Sequence, residues 1–239
     1  MANKSSGISR KVCIFRDGSF RQTEREVADE VRAEIYVDGK HAACLSCSPW
    51  SIRQAAIGHL FTEGIADVSK ICIVEEDTET HRISIEQGAE GTFLPQSPSL
   101  PASSLRCADI LRLAAELEER SAMFHRTGGV HSAALSRGDG FLAYEEDISR
   151  HTAVDKLAGA CLEQGVSMTG AILVFSGRAP GEIIRKAAAM GCCAVIARSA
   201  PTDEGCRVAD AAGITLIAFA REDGFNVYTH PERIPEYDL

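Results

Sequence analysis

The chain has 239 residues, 45% of them hydrophobic and 25% charged, a length and balance that suit a globular protein with a proper core. Its net charge of −9 argues against non-specific nucleic-acid binding, while a local basic site for an anionic ligand stays compatible with it. No apolar run is long enough to cross a bilayer, and Met1 to Ser5 lead into polar sequence rather than an apolar signal core, so the expectation is a cytoplasmic protein without a membrane partner.

In chain order, residues 12–47 read as antiparallel strands, with Asp17-Gly18 and Asp38-Gly39 as hairpin turns. Val31, Ala33, Ile35 and Val37 alternate with Arg32, Glu34, Tyr36 and Asp38, the period of a half-buried strand. Ser48-Pro49 then offers a capping hydroxyl and a first-turn proline, so a helix is expected to open there. Its apolar stripe would be Ile52, Ala55, Ala56, His59 and Leu60, with Gly64 ending it. Short β-like runs follow at 71–74 and 83–85. Residues 88–104, rich in Gly, Pro and Ser, form a candidate linker between an N-terminal unit (1–104) and a second unit (105–239). A helix is expected over residues 105–124, with Ile110, Leu111, Ala114 and Leu117 inward.

From residue 124 onward, strands and helices alternate. A hairpin is expected around residues 137–140, then helices over 151–164, near 180–191 and near 202–212, with strands at 171–175, 193–197, 214–219 and 225–229. That order implies an α/β sheet covered by helices, with right-handed crossovers where strands are parallel.

Nine scattered cysteines, an odd number, read as free thiols, most of them buried. Cys44-Leu45-Ser46-Cys47 has the spacing of redox and metal half-sites. In a strand, however, positions three apart point to opposite faces, so the two sulfurs are not expected to converge.

Three pieces put small or ionisable residues where an apolar segment meets a turn: Thr127 to His131, Glu146 to His151, and Ser176 to Glu182. At the second, Asp147 or Ser149 is expected to cap a helix, with Asp155 and Lys156 on its solvated face. Arg150 and His151 are cations at the positive end of a helix dipole, a placement that makes sense if an anion sits there. Ser176-Gly177-Arg178 follows a strand and precedes a helix, where backbone N–H groups and a guanidinium can hold a phosphate. A Ser176–His151–Asp147 triad can be drawn, but nothing in the sequence supports its geometry. His131, Glu146 and His151 lack metal-ligand spacing, and no metal is expected.

These motifs resemble the FdhD/NarQ family, the formate dehydrogenase accessory sulfurtransferases. The resemblance is carried by Phe124-x-x-Thr127-Gly128-Gly129-x-His131, Glu146-Asp147-x-x-Arg150-His151-x-Ala153-x-Asp155-Lys156, Ser176-Gly177-Arg178-Ala179 and Phe225 to His230. The first half is similar in Ile35-Tyr36-Val37-x-Gly39 and in Cys47-Ser48-Pro49 through Ile65. The resemblance implies an α/β fold, a cytidine-deaminase-like α/β/α sandwich with a smaller N-terminal α+β subdomain. It implies acceptance of sulfur from a cysteine desulfurase and its transfer to the molybdenum or tungsten bis-molybdopterin guanine dinucleotide cofactor of formate dehydrogenase, by a homodimer. The implied cofactor loop falls on Phe219, Ala220, Arg221, Glu222, Asp223 and Gly224, joined by His131, Arg150, His151, Ser176, Gly177 and Arg178. The family's C-G-x-C-G loop, whose cysteine holds a persulfide, corresponds to residues 87–98, and these contain no cysteine. Cys107, at the start of the next helix, is the nearest thiol, and the helix dipole is expected to lower its pKa. The alternative is a non-catalytic relative acting as cofactor carrier, chaperone or regulator.

Overall fold

A computed structural model describes residues 7–89, 91, 93 and 105–238; most of the expected linker lies outside them. The strands β1 (Ile8–Arg16) and β2 (Ser19–Val27) pair into a two-stranded ribbon. Next come β3 (Val31–Val37), β4 (Lys40–Cys47), the helix α1 (Ile52–Thr62), β5 (Ile71–Asp77) and β6 (Arg82–Gln87). These four strands form one sheet in the order β4-β3-β6-β5. The tight turns fall at both Asp-Gly pairs, where Asp17, Gly18, Asp38 and Gly39 all have positive φ.

The second half holds α2 (Cys107–Arg120), α3 (Ala122–Thr127), β7 (His131–Ser136), β8 (Phe141–Asp147), α4 (Arg150–Gln164), β9 (Ile172–Phe175), α5 (Gly181–Ala189), β10 (Ala194–Ala197), α6 (Asp203–Ala211), β11 (Thr215–Arg221) and β12 (Gly224–Val227). Its strands form a six-stranded sheet in the order β12-β11-β10-β9-β7-β8. The β9, β10 and β11 strands are parallel, as βαβ crossovers through α5 and α6 require, while β7 and β8 close the other side antiparallel. One face of the sheet (Ala134, Ile172, Val174, Ile196, Ile217) packs on Ile110, Leu113 and Leu117 of α2. The other face (Leu135, Leu173, Phe175, Val195, Leu216) packs with α4 and α5. The result is an α/β/α sandwich, to which α1 and the four-stranded sheet add a further layer through one continuous core.

Glycines let α1 and α4 touch backbone to backbone. A Cβ on Gly58 would lie 1.8 Å from the Asp155 carbonyl oxygen, and one on Gly159 would lie 2.0 Å from that of Gln54. Because α4 lies between the sheet and α1, it has no solvated face over most of its length. The expectation of a solvated Asp155 and Lys156 is therefore wrong: they are 1% and 0% exposed. Lys156 Nζ bonds Asp147 at 2.7 Å, donates to the Ser48 carbonyl at 3.3 Å, and sits 4.9 Å from the centre of the Trp50 ring.

That same network corrects the start of α1. Ser48 is buried; its N–H donates to Asp147 Oδ2 (2.9 Å) and its hydroxyl accepts from the Ile148 N–H (3.2 Å). Its groups are committed to β8 and cannot cap a helix, so α1 begins at Ile52 after Ser51, which has φ +53° and no side-chain cap. The expected helix over 105–124 is also two helices, broken at Ser121 (φ −72°, ψ 58°), and Leu113 rather than Leu111 enters the core. The Ser121 hydroxyl donates to the Leu117 carbonyl, ending α2 and sending the chain on toward β7.

Candidate functional site at the sheet edge

The carboxyl ends of β9, β10 and β11 lie on one edge of the sheet, and the antiparallel β7 brings its first residue, His131, to the same edge. The sheet's direction changes between β9 and β7, the position at which open α/β sheets leave a crevice for a ligand. A cavity of about 310 Å³ opens there. Polar lining comes from His131, Ser132, Ser176, Arg198 and Arg221, and apolar lining from Phe124 and Val130.

Ser176 fixes the floor. Its backbone N–H donates to the Ser132 carbonyl (3.0 Å), its hydroxyl accepts from the Ser132 N–H (2.9 Å), and His131 Nδ1 lies 3.4 Å from that hydroxyl. Ser132 continues the chain to Ser121 (2.6 Å between hydroxyls) and to the Tyr144 hydroxyl, which donates to it at 3.3 Å. Next to Ser176, Gly177 is needed for space: a Cβ there would lie 2.6 Å from Phe175 Cζ and 3.3 Å from Arg150 Cβ.

Arg150 opens α4 beneath this floor, after the Ser149 hydroxyl accepts from the Thr152 N–H. Its Nε is buried with no hydrogen-bond partner among the described residues. Leaving a guanidinium N–H unsatisfied is costly, and an anion would satisfy it. Burial, with the Arg150 charge adding to it, holds the His131 imidazole below the usual histidine range, and His151 shifts the same way for the same causes. Burial raises the Glu146 carboxyl, whose Oε1 also lacks a partner.

Of the residues singled out in the sequence, His131, Ser176 and Arg221 meet in this cavity, with Gly177 and Arg150 beside them. Phe219, at φ +54° and 41% exposed, stands on the outer wall; Ala220 is buried against α2; Glu222 and Asp223 are exposed in the turn to Gly224. Arg178 is exposed and lines no part of the cavity. His151 turns to a second cavity, where Nε2 lies 3.5 Å from Glu182. The drawn triad therefore does not form: the imidazole beside Ser176 is that of His131, and Asp147 pairs with Lys156. The sequence reading missed Arg198, which lines the cavity and bonds Glu118 at 2.6 Å. Its signal was the first polar residue after the apolar strand β10.

Cys107 does open α2, but its thiol is not activated. Burial and then the neighbouring Glu236 carboxylate raise its pKa, and that carboxylate takes the Cys107 N–H at 3.3 Å. The acid occupies the end of the helix dipole that the sequence reading assigned to the thiolate.

A three-layer α/β protein with a cation-lined crevice at the direction change of its sheet is the class that fold and site define together. The FdhD/NarQ family profile matches residues 89–235. The chain is 34% identical to the sulfur carrier protein FdhD of Shouchella clausii, over 97% of this chain and 98% of that one. It is 29% identical to the sulfur carrier protein FdhD of Staphylococcus aureus strain MRSA252, at the same coverage. Among solved structures, a formate dehydrogenase accessory protein from Desulfotalea psychrophila superposes with a TM-score of 0.82 and 26% identity, over 95% of this chain and 99% of that one. The chain belongs to the FdhD/NarQ family.

Proposed function

We propose that this chain is a sulfur carrier for formate dehydrogenase maturation. In this reading it binds a guanine nucleotide moiety of the molybdenum or tungsten bis-molybdopterin guanine dinucleotide cofactor, its cargo, at the sheet-edge cavity. Sulfur comes from a cysteine desulfurase. The carrying observation is the buried Arg150 Nε without a partner, beside a cavity that also presents Arg198 and Arg221. A cavity of about 310 Å³ suits one nucleotide moiety of such a cargo, leaving the metal-bearing end outside. In its bound state the cargo would supply the sulfur-accepting metal centre; the chain's own residues hold phosphate and exclude water. His131, kept neutral by burial and by Arg150, is suited to donate one hydrogen bond to a phosphate or ribose oxygen rather than a full charge.

The second reading, a carrier or chaperone of the cofactor without sulfur transfer, is favoured by residues 87–98, which have no cysteine. Both readings share the nucleotide site. Calorimetric titration with GDP tests it: saturable binding is expected, weakened about tenfold or more by Arg150→Ala and by Arg221→Ala, the cost of one charge-assisted hydrogen bond. Equal affinity in wild type and both variants would remove the site.

A further inference from the structure

A second cavity, of about 680 Å³, lies where β4 and α1 meet the first turns of α4 and α5. Cys44 and Ser46 of β4, His59 and Glu63 of α1, His151 of α4 and Lys186 of α5 line it. Its ionisable groups are matched among themselves. Lys186, 2% exposed, bonds Asp155 (2.8 Å), Thr62 (3.0 Å) and Glu63 (2.5 Å), and His59 meets Asp155 at 3.1 Å. His151 faces Glu182. A wall already neutralised in this way does not call for a charged ligand. It suits a weakly charged, polarisable group.

We propose that this cavity is where sulfur enters the chain, by seating a donor persulfide against Cys44. The inference rests on the sulfur-carrier reading above and supplies the thiol that residues 87–98 lack. The other cysteines fit the task less well. Cys47, Cys161 and Cys192 are buried, and burial pushes the thiols of Cys47 and Cys161 up to about 12. Cys107, Cys193 and Cys206 are raised by the same cause, so each is a poor nucleophile at neutral pH. Cys72 donates to the Glu86 carbonyl, and Cys13 stands on the exposed β1–β2 ribbon without a polar partner. Cys44 combines a cavity with a cation: Arg32 Nε lies 2.8 Å from its sulfur and 3.0 Å from Glu34 Oε1. A guanidinium N–H at that distance stabilises a thiolate, the form that attacks sulfur.

The step balances without an oxidant or a reductant. The Cys44 thiolate attacks the terminal sulfur of R–S–SH, a new S–S bond forms at Cys44 Sγ, and the donor's own S–S bond breaks. The bonding pair leaves on the donor thiolate, and the transferred sulfur keeps its hydrogen. Cys47, three residues on, is buried in the core on the opposite face of β4. It therefore cannot close a disulfide on Cys44 and expel the cargo as sulfide, which is what a C-x-x-C pair on one face would do.

The test loads the full chain with sulfur in two arms, one with glutathione persulfide and one with cysteine plus a cysteine desulfurase. Alkylation and peptide mass mapping follow, with GDP binding measured on the same samples. The expected result is one added sulfur on the peptide holding Cys44, reduced at least tenfold in Cys44→Ser and Cys44→Ala, with uptake slowed several-fold by Arg32→Gln near pH 7. Loading in one arm alone supports the cavity and names its donor as a small molecule or a protein. Sulfur on another cysteine, taken up as fast by Cys44→Ser as by wild type, overturns the assignment of Cys44 and leaves the carrier reading standing. No added sulfur in either arm, with GDP still bound, overturns both and leaves the cofactor-chaperone reading.

Discussion

The two cavities contain much the same kinds of side chain, histidines, a lysine or arginines, hydroxyls and carboxylates, and differ in how these are satisfied. Between β4 and α4, Lys186, Asp155, His59, Glu63 and Thr62 bond one another. At the sheet edge, Arg150 Nε and Glu146 Oε1 are buried without partners, and His131 has only a 3.4 Å contact to Ser176. Buried groups that complete one another hold the fold together; buried groups left incomplete wait for a ligand. The same comparison separates the two chemistries proposed, with an anion held where cations are unpaired and a neutral sulfur transferred where charges cancel.

The sharpest way to break this comparison is Asp155→Asn. It leaves Lys186 buried with one carboxylate fewer, so a loss of about 3 kcal/mol in denaturant unfolding is expected, while GDP affinity stays within about twofold. Burial alone would raise the Asp155 carboxyl, but the hydrogen bond from His59 and the charge of Lys186 outweigh it, and its pKa is lowered. A group lowered on folding stabilises above its unfolded pKa of about 3.9 and loses that contribution as pH falls through the folded value. Acid unfolding below about pH 4 should therefore be shallower in Asp155→Asn than in wild type. Arg150→Met is the converse probe. Removing an unpaired buried N–H should leave stability unchanged or raise it by up to about 1 kcal/mol, while GDP affinity falls about tenfold. A large loss of stability there would mean that the arginine is structural. The smallest effect belongs to Ser176→Ala, which takes the acceptor from the Ser132 N–H and should cost about 1 kcal/mol of stability, with a two- to threefold change in GDP affinity.

The sequence made the local features readable. The Asp-Gly turns, the alternation from Val31 to Val37, the end of α4 at Gly165 (φ +67°) and the opposed faces of Cys44 and Cys47 each depend on residues close in the chain. The order of strands and helices after residue 124 was readable for the same reason, and so was the edge at which the site lies. What escaped depends on partners far away. Ser48 looked like a cap because its true partners, Asp147 and Lys156, are about a hundred residues on. Asp155 and Lys156 looked solvated because charged pairs usually are, and only the layer formed by α1 covers them. Cys107 looked activated because Glu236 lies far along the chain, near its other end. Within the site, His131, Ser176 and Arg221 were visible as polar residues at strand ends, whereas the separation of His151 from Ser176 depends on which side of α4 each residue leaves.

The central claim, that the sheet-edge cavity is the nucleotide site, is tested most directly by photolabelling the full chain with 8-azido-GDP and mapping the labelled peptides. The account predicts saturable labelling on the segments around Ser176 and Phe219 to Gly224, suppressed by excess GDP and by Arg150→Ala. Labelling confined to β4, α1 or α5 around the second cavity, or labelling that excess GDP does not suppress, would contradict it.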